Sequence, residues 1–389
     1  TPDLLNLYFL LIYLQLVINH EVFEKPIKTG IIGVLLYLSK YYTFWFFLAH
    51  LSVTLFLELF KKKPFPHICL SYLKIILVFM AGCGLWIICL SVKYKQPLIS
   101  TSGSYNHSIV ATGEINHEWL KGGIIAPYKN NLFAWEEITL CYPHKDWSPF
   151  DSKKNLLTQW LLVKNNFKIV FDYLNASTRY GFYLNLIILL LILKSYGFKK
   201  ELLGNVNFRL ILFGVIFFSG YLYILCVYRY IRILYFLSAL SITVFLSEKL
   251  RTFNIGRFYS VGIILLSYCL FTYHVANTFY ATERDVCYYP ENQSAVKKLL
   301  TSDDKVISSL TFFGFPFITE VRYQHYGSYN GYNKDENALL KDIKKYKITA
   351  VIIPDTTTYI PSFFSKLEKV SFPLKGLYLY KIDTALLNK

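Results

Sequence analysis

Asp3 follows Pro2 at the start of one apolar run, and Lys40-Tyr41-Tyr42 closes the next. Two consecutive membrane-crossing helices start and finish on the same side of a bilayer, so Asp3 and Lys40 are expected in one compartment. A carboxylate at a helix start is favoured by the helix dipole. A lysine beside tyrosines at a helix end snorkels towards an aromatic belt. The same positions suit a second role: Lys40 as the cation for a lipid-linked phosphate at the membrane surface, supported by Asp3 and Tyr41. Tyr228-Arg229-Tyr230-Ile231-Arg232 forms a tight turn expected on that same side. The guanidinium fork matches phosphate oxygens, so Arg229 and Arg232 are further donor-phosphate candidates, with structural pairing as the alternative.

A second constellation lies in a long polar stretch. Trp135-Glu136-Glu137 and Asp146-Trp147 put flat apolar rings beside acceptor oxygens. A sugar has apolar CH faces that stack on such rings and hydroxyls that donate to carboxylates. The alternative is a loop that packs as a cap, with Trp and Tyr at the membrane interface. A loop of this kind is expected to lie over a cavity lined by Asp3, Lys40 and Arg232 and to exclude water. Glu114, His117, Glu118, His144 and Asp146 match no strong ligand spacing, so no metal is expected. Neither G-x-G-x-x-G nor G-x-x-x-x-G-K-[ST] occurs, and a nucleophile elbow and H-E-x-x-H are also absent. No cofactor is therefore expected.

The elements that must position these residues are apolar. The 389 residues are 54% hydrophobic and 18% aromatic, a balance typical of a chain with many spans. A helix needs about 20 apolar residues to cross the hydrocarbon core. Candidate spans are roughly 4–19, 29–39, 42–60, 70–92, 180–194, 209–228, 231–247 and 258–276. His50 and Gln15 fall inside such spans and are expected to pack with hydrogen bonds. Lys25 and Lys28, then Lys61 to Lys63, then Lys194, Lys199, Lys200 and Arg209, then Lys249, Arg251 and Arg257 occupy alternate short connections. Short basic loops mark the cytoplasmic side. This use of cations accounts for a net charge of +16 without nucleic acid as a partner.

The expected organisation is transmembrane hairpins over 1–92, an extracytoplasmic loop over 93–179, transmembrane spans over 180–276 and an extracytoplasmic small α/β domain over 277–389. The last segment reads as helices near 292–300 and 336–346 with strands near 305–310, 348–354 and 376–380. Residue 1 is Thr and the first apolar run opens at once, so an N-terminally truncated piece of a longer protein is expected. Of the 7 Cys, Cys141 and Cys287 are the two in long polar segments, where a disulfide has room to form. Asn106, Asn175 and Asn292 open sequons on the expected outer side. The abundance of Lys, Ile, Asn, Tyr and Phe points to an AT-rich, bacterial source.

Thr1-Pro2-Asp3-Leu4-Leu5 opening a span, a basic turn, and Gly30 through Leu38-Ser39-Lys40-Tyr41-Tyr42 closing the next resemble the middle of the GT-C glycosyltransferases. Among these, the protein O-mannosyltransferases (glycosyltransferase family 39) and the lipid A aminoarabinose transferases are most similar. In that group "PD" or "TD" opens one span and "L-T-K-G/Y" closes the next. Arg232-Ile233-Leu234-Tyr235-Phe236 is similar to the group's "R-Y-L-L-P", without its proline.

The resemblance implies a multi-pass protein of the cytoplasmic (inner) membrane. It implies a polyprenyl-phosphate sugar donor and transfer to a glycan, lipid or protein acceptor at the outer face. It also implies an acidic catalytic base in an outer loop preceding Thr1, so that residue is not named here. Membrane lipids are the remaining expected partners. The alternative is a flippase or transporter for a lipid-linked saccharide, which would need a continuous polar path through the spans.

Overall fold

The computed structural model describes residues 2–60, 65–111, 124–129, 131, 137, 147–178, 181–197, 200–226, 233–252, 298–308, 324–328, 335–354, 359–371 and 377–383. These divide into two compact units. One comprises Thr1–Gly103 with Pro149–Arg284, the other Ser104–Ser148 with Asp285–Lys389.

The first unit is helical. Its helices are α1 (Pro2–Ile18), α2 (Pro26–Ser39), α3 (Tyr42–Phe60) and α4 (Phe65–Tyr94). After α5 (Ser102–Ala111), which lies mainly in the other unit, come α6 (Lys153–Thr178), α7 (Gly181–Tyr196), a 3-10 turn (Lys200–Gly204), α8 (Val206–Tyr223) and α9 (Ile233–Thr252). Seven of the expected spans thus coincide with helices, and the stretch 258–276 lies outside the described residues. Among the described residues α3, α4 and α8 are long and apolar enough to cross a membrane, and α1, α2 and α7 are shorter apolar helices. Helix α6 falls in a stretch that reads as loop, because its apolar residues are interrupted by lysines and asparagines.

Local sequence explains the helix ends. Pro26 opens α2, where its missing N–H would have had no helical partner. Asn205 caps α8 by accepting from the Phe208 N–H at 3.0 Å. Helix α1 stops at His20, whose φ of 61° is left-handed, while Glu21 N–H reaches back to Leu16 O at 2.9 Å. That back-bonding satisfies carbonyls that a helix end otherwise leaves open.

Aromatic rings form the centre of this unit. Phe47 sits 5.3 Å from Tyr13 and 4.7 Å from Phe79, and Phe46 sits 5.0 Å from Phe213 and 5.2 Å from Phe217. Helices α1, α3, α4 and α8 therefore meet through one ring column. Helix α2 approaches closely because Gly33 leaves room: a Cβ there would lie 2.6 Å from the Phe47 ring. Gln15 does not pack inside, contrary to the sequence reading. Tyr13, Leu14, Leu16 and Val17 occupy the buried side of α1, and Gln15 lies on its exposed face.

The second unit holds a five-stranded mixed sheet: β1 (Lys305–Ser308), β2 (Gln324–Ser328), β3 (Ala350–Pro354), β4 (Glu368–Ser371) and β5 (Leu377–Lys381), in the order β2-β1-β3-β5-β4. β1 pairs parallel with β2 and β3, and β5 pairs antiparallel with β3 and β4. Helix α10 (Glu336–Tyr346) runs between β2 and β3, capped by Asp335. The three strands expected from sequence are present. β2 and β4 were not legible, because edge strands carry polar and charged residues. Ile124 packs in the same core as Ile307, Tyr326 and Ile343, and Ile125 N–H donates to Tyr326 O at 2.8 Å. Part of the long central polar segment thus belongs to the sheet's fold.

Asp304 fastens one end of this sheet. It accepts from Thr301 N–H at 2.7 Å and from the Thr349 hydroxyl at 2.7 Å, and Lys381 Nζ lies 3.4 Å away. Burial raises its pKa, but these donors outweigh that effect and hold the carboxyl below its ordinary value. A depressed carboxyl contributes stability above its unfolded value of about 3.9, and this is lost as pH falls through the folded value. Protection factors of the β1 and β3 amides, corrected for the intrinsic pH dependence of exchange, should therefore fall below about pH 4. Asp304→Asn should flatten that response and cost about 1.5–3 kcal/mol at neutral pH.

Candidate functional site

The candidate site is built where α1 begins and α2 ends. Asp3 stands in the first turn of α1. α2 finishes at Ser39, and Lys40 turns extended, with φ −160° and ψ 114°. Its N–H still donates to Leu36 O at 3.0 Å, while its own carbonyl accepts from Thr43 N–H at 3.0 Å and the Thr43 hydroxyl at 2.6 Å. One residue thus closes α2 and opens α3.

This corner brings Lys40 Nζ to 2.6 Å from Asp3 Oδ1, across 37 residues of sequence. One turn further along α1, Asn6 Nδ2 donates to Ser39 Oγ at 2.9 Å, and Ser39 Oγ donates to Leu36 O at 2.7 Å. Asp3 and Asn6 share a helix face because they are three residues apart. The Lys40 side chain is 16% exposed and Asp3 is 41% exposed, so the cation is largely enclosed and the carboxylate is partly open to solvent.

The aromatic residues beside the corner anchor it. Tyr41 lies against Gly103, where a Cβ would be 3.4 Å from its ring. Tyr37 donates to Ile99 O at 2.8 Å, tying the chain after α4 to the same end. Tyr42 donates to Phe217 O and stacks on Tyr221, with ring centroids 3.9 Å apart. What results chemically is a charge-assisted donor at the end of an apolar bundle, paired with a partly exposed carboxylate.

Of the remaining predicted residues, Trp147 packs edge-on against His107 at 4.8 Å, and Glu137 is half-buried. Both belong to the second unit. Arg229, Arg232, Trp135, Glu136 and Asp146 lie outside the described residues, as do Cys141, Cys287 and the metal candidates Glu114, His117, Glu118 and His144.

Sequence reasoning missed a second polar centre. Arg209 reads as part of a basic connection, yet it sits inside the first turns of α8 and is 5% exposed. Its Nη2 reaches Glu58 Oε1 at 3.0 Å, Nη1 donates to Val17 O at 2.7 Å and Nε to Leu203 O at 2.8 Å. His20 Nδ1 lies 3.8 Å from the same Glu58 oxygen. The pairing has no sequence signal, since 151 residues separate Arg209 from Glu58. His50, by contrast, is the hydrogen-bonded packing residue expected: its ring nitrogen lies 3.0 Å from the Tyr13 hydroxyl in a buried setting.

The Arg209 pair generates a test of stability. Removing one partner leaves the other charge buried, which costs about 3–5 kcal/mol. Arg209→Ala and Glu58→Ala should each lower the unfolding midpoint of the detergent-solubilised protein by that equivalent. The double variant Arg209→Met with Glu58→Leu should recover most of the loss, because no charge remains unpaired.

No family model, curated protein or solved structure matches this chain.

Proposed function

We propose that this protein transfers a sugar from a polyprenyl-phosphate donor to an acceptor at the outer face of a membrane, as a multi-pass glycosyltransferase of the GT-C kind. The observation that carries the reading is the Asp3–Lys40 ion pair at 2.6 Å. The two motifs on which the resemblance rests, one opening a helix and one closing the next, meet in space at their charged residues.

Such a reaction leaves a lipid phosphate behind. A fixed cation aimed at the departing charge stabilises it more in the transition state than in the ground state. Lys40 fills that role in this reading, and Asp3 orients the ammonium until a phosphate oxygen replaces it. Arg229 and Arg232 are further phosphate ligands on the sequence reading, and the Trp135–Glu137 and Asp146–Trp147 pairs take the sugar or acceptor. The distribution of cations fits short basic cytoplasmic loops, and the composition fits a bacterial cytoplasmic membrane. The acceptor is a glycan, a lipid or a protein hydroxyl.

In membranes containing the full-length protein, with the outer loop expected before Thr1, Lys40→Ala should slow transfer from a polyprenyl-phosphate sugar about tenfold to a hundredfold, the equivalent of losing a charge-assisted contact of about 1.5–3 kcal/mol. Lys40→Arg should retain most of the rate. Unchanged turnover in Lys40→Ala, with an unchanged unfolding midpoint, would remove the phosphate role and leave an ion pair that only joins two helices.

The orientation is tested separately. Ser152, Ser195 and Ser365 are all exposed. Cysteines placed at Ser152 and Ser365 should react with a membrane-impermeant thiol reagent added to intact cells, and one at Ser195 only after the membrane is opened. The reverse pattern overturns the proposed sidedness.

A further inference from the structure

The buried side of helix α6 mixes amides with apolar residues: Val170 lies in the helical core, with Ile169 and Tyr173 packed against it. Gln159 Nε2 donates to Tyr223 O at 2.7 Å, and Asn166 Nδ2 donates to Leu222 O at 2.9 Å. Asn166 Oδ1 also accepts from Cys226 N–H at 3.3 Å. The carbonyls at the end of α8, which lack helical partners, are thereby satisfied by side chains of α6. Its outer face carries hydrocarbon: Leu156 is 56% exposed, Leu157 59%, Trp160 66% and Leu161 49%, with Phe150 just ahead of the helix at 87%.

The contacts also fix how α6 runs. Gln159 and Asn166 both reach residues Tyr223 to Cys226. Phe167 meets Phe218 and Phe182, and Phe171 meets Phe182 and Tyr183, at the start of α7. Further along, Val170 is buried in the same core as Leu210 and Phe213 of α8 and Leu234 of α9. The first half of α6, from Gln159 to Asn166, thus stands at the end of α8, one of the three helices among the described residues long and apolar enough to cross a membrane.

We propose that the outer face of α6 is a lipid-binding surface that lies in the membrane interface and takes anionic headgroups. Leu156, Trp160 and Phe167 fall within about 40° of one another around the helix. At the end of this row Phe167, 44% exposed, meets Phe182 of α7 and Phe218 of α8. Exposed Lys153, Lys154, Lys164 and Lys168 lie along one side of it, about 60–160° round the helix from Leu156, and outnumber the exposed Asp151 and Asp172. Apolar side chains reach the acyl boundary from such a helix while lysine stems carry their charges to the headgroups. A water-facing helix would have no reason to bury its amides and expose this row, and a bare apolar surface would not carry four lysines along it. The inference needs only that the helical unit spans a membrane. It does not depend on sugar transfer.

The test uses Trp160 as its own reporter. The full protein is reconstituted in nanodiscs of phosphatidylcholine, alone or mixed with phosphatidylglycerol. The Trp160 emission is obtained as the difference between the native chain and Trp160→Phe. Lipids brominated near the top of the acyl chain should quench that emission at least about twofold more than acrylamide does. Quenching should be stronger in the anionic discs, and Lys→Gln at positions 153, 154, 164 and 168 together should abolish that difference. Quenching by acrylamide alone would place the face in water, and quenching by neither would place it under protein. Either result overturns the proposal. Equal lipid quenching in both disc types would overturn the preference for anionic headgroups.

Discussion

Arg209 is the residue on which the helical unit depends. Its guanidinium bonds to the last turn of α1 at Val17, to α3 at Glu58 and to the turn before α8 at Leu203. In an apolar bundle no water stands ready to take over these bonds, so a polar group must find its partner within the protein. The position of α8 relative to α1 and α3 is thereby set at one end. The ring column of Tyr13, Phe46, Phe47, Phe213 and Phe217 then fills the space between the same helices. Rings pack well at many angles, but hydrogen bonds of a planar fork do not, which is why the fork sets the register and the rings follow.

Helix α1 is held at both ends by charge. At its start Asp3 meets Lys40, and at its finish the Val17 carbonyl meets Arg209. The two ends differ in a way that bears on function. The Arg209 centre is buried on all sides, so its charges are committed to structure. The Lys40 centre keeps a partly exposed carboxylate and stands at a helix corner whose backbone is fully engaged. A fixed cation with an exchangeable partner is what an anionic ligand requires; a fully buried pair is what a joint requires. The contrast makes the Lys40 corner the better candidate for chemistry.

The surface follows the same physics. Leu, Phe and Trp residues face outward along α3, α4 and α7, as lipid rather than water would permit. At the end of α8 that rule meets its limit: the helix stops, carbonyls are left open, and α6 brings Gln159 and Asn166 to meet them.

The sequence by itself determined the apolar helices, because periods and lengths of that kind are local properties, and it pointed to Asp3 and Lys40 at one end of a helical hairpin, because one opens an apolar run and the other closes the next. It also contained α10 and the buried strands β1, β3 and β5. It did not contain the strands at the sheet edges, since Gln324–Ser328 and Glu368–Ser371 are polar and show no alternation. Nor did it contain α6, whose apolar residues are interrupted by lysines and asparagines and whose buried side mixes amides with Val170. Tertiary structure alone decided the pairing of Arg209 with Glu58, because a salt bridge across 151 residues leaves no trace in either segment. It alone decided that Ile124, in the central polar stretch, is buried with Ile307 and Tyr326. Burial of that kind depends on which distant surface is free to receive a side chain, and local sequence carries no record of that.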